Sequence, residues 1–148
     1  MKPIIDLVCE FRQAIDIAKA NREFNYRDRF SGFPIGCCDD ACDLLGKYLY
    51  EKDIHTIQIQ GTFRDGNPEH TTGHAWLQLD DGRIIDITGD QFRYDELFLR
   101  FDEPVYVGKT SEFHSLFEID RTIANCDVDR NFRLKEMYEI ISNHIENM

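Results

Sequence analysis

Cys38, His74 and Asp86 are the three side chains whose types and settings suit a thiol-based active site. A thiol attacks a carbonyl only as the thiolate, an imidazole can take its proton, and a carboxylate can orient the imidazole. Cys38 lies in Gly36-Cys37-Cys38-Asp39-Asp40-Ala41-Cys42, where an apolar periodic run opens. His74 begins the alternating segment Gly73-His74-Ala75-Trp76, and Asp86 lies in Ile85-Asp86-Ile87-Thr88. A helix start suits the nucleophile, because the positive end of the helix dipole lowers a thiol pKa. Its unpaired amides also suit an oxyanion. Cys37 is about 100° around the helix from Cys38. Both lie near the stripe set by Leu44, Leu45, Tyr48 and Leu49, so periodicity does not choose between them. Asp39, Asp40 and Asp43 oppose activation of either thiol unless they point to solvent.

Three elements must bring these residues together. Ile4, Leu7, Val8, Phe11, Ala14, Ile15 and Ala18 recur at helical spacing and predict a first helix over residues 3–20. Asn21–Pro34 is irregular, and Pro34 disfavours helix at Phe33. A second helix is expected from about Cys37 to Lys52, with Asp39 and Asp40 favourably placed in its first turn. The period then changes to two: His55–Phe63 reads as a strand, Arg64–Gly73 as a polar surface loop, and His74–Leu79 and Arg83–Thr88 as paired strands. Pro104–Val107 offers a further strand, and Asn131–Asn147 a closing helix. The expected class is α+β, a cysteine-bearing helix packed on an antiparallel sheet with flanking helices at both ends.

The hairpin makes a sharp demand. With the three-residue loop Asp80-Asp81-Gly82, Leu79 pairs with Arg83, Trp76 with Asp86, and His74 with Thr88. His74, Trp76, Asp86 and Thr88 then share one face, with His74 and Asp86 diagonal neighbours roughly 7–8 Å apart by backbone. A two-residue Asp81-Gly82 turn shifts the register by one and sends Asp86 to the opposite face. The three-residue loop is predicted, with Gly82 in the left-handed position.

At 148 residues the chain reads as a single domain, 1–148, able to build a core without staples. The net charge of −11 argues against nucleic acid or an anionic membrane as partner. No apolar run reaches the roughly 18 residues of a membrane span. The odd, clustered cysteines 9, 37, 38, 42 and 126 do not form a disulfide framework, so a reducing cytoplasm is the expected compartment.

Gly36-Cys37-Cys38 followed by Ala41, then His74-Ala75-Trp76, then Asp86-Ile87-Thr88, resembles the transglutaminase-like branch of the papain-like superfamily, whose pattern is roughly G-x-C, H-A-W and D-x-T. The resemblance covers about residues 33–92. It implies a papain-like core with Cys38 as nucleophile, His74 as general base and Asp86 as orienting acid. The implied activity is that of a hydrolase or acyltransferase on an amide or acyl bond: thiol protease, amidase, deamidase or transglutaminase-like enzyme. Its partners would be a peptide, protein or small amide substrate, and no cofactor is needed. Arg64–Gly73 and Asn21–Phe33 are expected to border the cleft.

Two other readings use the same residues. One is a catalytically inactive protein-binding module on this fold. The other is a small zinc protein using Cys37, Cys38, Cys42, His70 and His74, although Thr71-Thr72-Gly73 is poor helix between the two histidines. His55, His114 and His144 stand alone and read as surface or packing residues.

Overall fold

A computed structural model describes residues 2–95, 100–125 and 127–148. Helix α1 (Ile4–Ala20) buries Leu7, Val8, Phe11, Ala14, Ile15 and Ala18. That is the predicted stripe apart from Ile4, which is partly buried against the same core. Helix α2 (Cys38–Tyr50) follows, then strands β1 (Thr56–Phe63), β2 (Thr72–Leu79), β3 (Ile84–Asp86) and β4 (Tyr106–Gly108). A one-turn helix α3 (Glu112–Ser115), strand β5 (Glu118–Ile123) and helix α4 (Phe132–Glu146) complete the α-helices and strands of the described residues. The strands form one antiparallel sheet in the order β4-β3-β2-β1-β5. The architecture is α+β. No helix among the described residues is long and apolar enough to cross a membrane.

Both faces of the central strand β2 are covered. Ala75, Leu77 and Leu79 face a core built mainly by α1, α2 and α4. Trp76 faces a second cluster containing Ile59, Phe63, Ile84, Phe92, Phe113 and Phe117. The alternation of the strand thus feeds two cores, and Trp76 is a core residue.

The β2–β3 connection follows the predicted register. Leu77 pairs with Ile85 and Gln78 with Ile84, and the Leu79 amide donates to the Arg83 carbonyl at 2.8 Å. Gly82 has φ of +89°, the left-handed conformation that lets a three-residue loop close without a steric penalty. Several boundaries differ from expectation. β2 starts at Thr72, inside the segment read as loop, and β3 stops at Asp86, beyond which Thr88 turns into a short 3₁₀ segment, Gly89–Phe92. β4 begins at Tyr106 rather than Pro104, and α2 begins at Cys38 and ends at Tyr50. β5 was not anticipated: it lies on the sheet edge, where Glu118–Ile123 is exposed almost throughout and carries no burial alternation.

Candidate active site

Cys37 and Cys38 separate once the helix start is defined. Cys37 is the residue capping α2, with φ −114° and ψ 10°, so it lies outside the helical periodicity. Its buried Sγ donates to the carbonyls of Ile35 at 3.3 Å and Arg29 at 3.4 Å. Burial, reinforced by Asp40, pushes its thiol up to about 12. Cys42 is buried one turn on, and burial raises its thiol well above the ordinary value. Cys38 is the first helical residue and remains partly exposed. It shares the lining of a small internal cavity with Asp86, Thr88 and Trp76.

The acidic helix start is neutralised by distant residues. Arg133, in the first turn of α4, donates to Asp40 Oδ1 at 3.1 Å and to Asp28 Oδ1 at 2.8 Å. Arg29 pairs with Asp40 at 3.3 Å, and Asp39 accepts from Gln58 Nε2 at 3.3 Å. Two of the three carboxylates that threatened the thiol are thus engaged by cationic or amide donors.

His74 is 3% exposed and Asp86 2%. His74 Nε2 bonds Asp86 Oδ2 at 2.7 Å, the face-sharing that the hairpin register required. Asp86 Oδ1 accepts from the Thr88 amide at 2.9 Å and its hydroxyl at 3.4 Å. Gly89 permits this close packing: a Cβ there would meet the Phe101 ring at 2.6 Å and Asp86 Oδ2 at 3.1 Å. For His74, burial disfavours the charged imidazole, but Asp86 and then Cys38 outweigh it and lift its pKa to about 9. For Asp86, burial is likewise overcome, by His74 and His114, and the carboxyl is held well below its usual range.

Gln91 occupies the other side of the imidazole. Its Nε2 donates to the Thr88 carbonyl at 3.0 Å and lies 3.4 Å from His74 Nδ1, while its Oε1 accepts from the Gly36 amide at 3.4 Å. The Thr88 carbonyl on the nitrogen side and the Gly36 amide on the oxygen side fix the amide orientation. Gln91 therefore spans the gap between His74 and the residues that lead into Cys38. The segment carrying it is tied to α1: Arg12 donates to the carbonyls of Ile87 (2.8 Å) and Pro104 (2.9 Å) and pairs with Asp90 at 2.8 Å.

His114 packs in the interior, as one of its two expected settings had it, but it does not stand alone. It is 1% exposed, not a surface residue, and its Nε2 also bonds Asp86 Oδ2, at 2.7 Å. The sequence signal was weak; only Ser111, which caps α3 by accepting from the His114 amide, marks a helix start there. The five-residue zinc set does not assemble either. Cys37 bonds backbone carbonyls, and His70 lies in a 3₁₀ turn, Pro68–His70, bonded to Asp65 at 2.7 Å, with no helix linking it to His74. Among the described residues the group that could hold an ion is His74, Asp86 and His114. There the Asp86 oxygen itself sits at hydrogen-bond distance from both Nε2 atoms, so the donors converge on the carboxylate and not on a shared hollow. Cys126, the fifth cysteine, lies outside the described residues.

The ionisation of this pair makes stability depend on pH in both directions. His74, raised from 6.5 to about 9, contributes stability that is fully present below pH 6.5 and lost as pH rises through 9. Asp86, lowered from 3.8, contributes stability present above pH 3.8 and lost as pH falls. Urea unfolding should therefore show this contribution at its fullest between those limits. A stability that stays flat from pH 6.5 to 9 would contradict a charged His74–Asp86 pair.

No protein-family model matches the chain, and neither a curated protein nor a solved structure is significantly similar to it.

Proposed function

We propose that this chain is a cysteine-dependent hydrolase or acyltransferase acting on an amide or acyl bond, on a papain-like (transglutaminase-like) core. The observation that carries this is the buried His74–Asp86 pair beside the start of α2, where Cys38 is the partly exposed thiol of its cluster. The favoured charge on His74 is what a thiolate–imidazolium pair requires.

In this mechanism the Cys38 thiol passes its proton to His74 Nδ1, and the thiolate attacks the carbonyl carbon, moving the π electrons onto oxygen. Asp86 holds the Nε2 proton and so leaves Nδ1 as the working nitrogen. The backbone N–H of Cys38 is one donor for the oxyanion. Gln91 Nε2 is the second: once Nδ1 carries a proton it no longer accepts, and that amide hydrogen is free to turn to the substrate oxygen. Collapse of the tetrahedral species expels the leaving amine, which takes the proton from His74. Water or an amine then attacks the thioester carbonyl as His74 takes its proton, the C–S bond breaks, and the acid or new amide leaves Cys38 as the thiolate beside the imidazolium. The substrate would be a peptide, protein or small amide.

The test is alkylation by iodoacetamide across pH, mapped by mass spectrometry on the native protein and on His74→Gln. Cys38 is expected to label preferentially below pH 7, and His74→Gln to lose that preference. Uniformly slow labelling of Cys38, unchanged by the substitution, would overturn the assignment in favour of a non-catalytic binding module.

A further inference from the structure

His114 is costly where it stands. An imidazole enclosed by Trp76, Phe101, Tyr106 and Phe113 would be replaced at no loss by an apolar ring if packing were its purpose. Its polar atoms are instead fully committed. Ser111 Oγ accepts from the His114 backbone amide at 3.1 Å and lies 2.6 Å from Nδ1. Asp86 Oδ2, an ionised carboxylate oxygen, can only accept, so Nε2 carries the hydrogen and donates it, and Nδ1 is left to accept the Ser111 hydroxyl. Asp86 thus receives two imidazole N–H groups on one oxygen and the Thr88 amide and hydroxyl on the other.

We infer that His114 is a positioning residue of the thiol site: with its ring held between Asp86 and Ser111, it locks the Asp86 carboxylate and shares its negative charge with His74. The inference rests on the thiol-enzyme assignment above. Among the described residues, the titratable groups facing the His114 ring are Asp86, His74 and Tyr106. Removing the His114 N–H takes the positive end of a dipole away from this group. The local potential becomes more negative, and Asp86, His74 and Cys38 all hold their protons to higher pH. A second imidazole on the carboxylate therefore keeps the thiol reactive further into acid than His74 and Asp86 alone would.

The experiment compares the pH profile of Cys38 alkylation in the wild-type chain, His114→Phe and His114→Gln, with urea unfolding of each as the fold control. His114→Phe is expected to move the acid limb upward by about one pH unit, a tenfold rate loss on that limb. His114→Gln, which returns an N–H donor at similar reach, should restore most of the shift. A His114→Phe profile superimposable on wild type, or a shift that Gln does not reverse, overturns the assignment while leaving the thiol site intact. A wild-type Cys38 with no activation overturns the thiol site and this role together. Should His114→Phe fail to fold, long-range proton–nitrogen NMR on the wild-type chain decides: an Nε2-protonated, Nδ1-accepting His114 is expected, and the opposite tautomer refutes the assignment.

Discussion

Cys38→Ala is expected to abolish the proposed turnover and to leave the fold intact. Alanine suits the first turn of a helix, and the site is partly open, so the substitution removes the nucleophile with little change in packing. Without the thiol no covalent intermediate forms, and the rate on an activated ester such as p-nitrophenyl acetate should fall by about 10⁴-fold or more. Cys37→Ala is the matched comparison. Its sulfur is sealed among backbone carbonyls and holds its proton to about pH 12, so its removal should leave the esterase rate within about threefold of wild type while costing some stability. Full activity in Cys38→Ala, or its loss in Cys37→Ala alone, would reassign the nucleophile.

The second large effect is on stability. Asp86→Ala leaves two enclosed imidazoles that shared one anion without their acceptor, and strips the Thr88 amide of its partner. Breaking a buried pair by removing one member costs about 3–5 kcal/mol, most of it for the orphaned polar groups. Urea unfolding at pH 6 should register that loss. Asp86→Asn should cost less, since its carbonyl oxygen still accepts one N–H, yet it should be as inactive, because no charge remains to favour the imidazolium. A loss below about 1 kcal/mol in Asp86→Ala would mean that the imidazoles find other partners or water.

What the sequence made legible was local. The three-residue loop, which the catalytic reading demanded over the two-residue Asp81-Gly82 turn, placed His74 and Asp86 on one face, and the register and the Gly82 conformation follow it. Helices α1 and α4 announced themselves by apolar spacing. The choice between Cys37 and Cys38 was not legible, because Cys37 caps the helix and a 3.6-residue period says nothing about a residue outside it. His114 and Asp86 are 28 residues apart, and Arg133 and Asp40 are 93 apart. Neither pairing leaves a trace in spacing. Gln91 stood in a conspicuous run, Asp86–Phe92, but its role appears only when the chain around Gly36 folds against it.

The Arg133 clamp carries a consequence for how the site comes into being. Asp28 and Asp40 flank the start of α2, and their neutralising guanidinium arrives with a helix 93 residues further along the chain. Contacts of such separation close late in folding, after the loop entropy has been spent. A partly folded chain in which α2 already lies on the sheet, with α4 still undocked, leaves Asp40 without Arg133 beside Cys37 and Cys38. In that state the carboxylates discourage the thiolate. On the proposed chemistry the chain would be quiet while unfinished, and the sulfur would gain its reactivity only with the event that closes the helical layer.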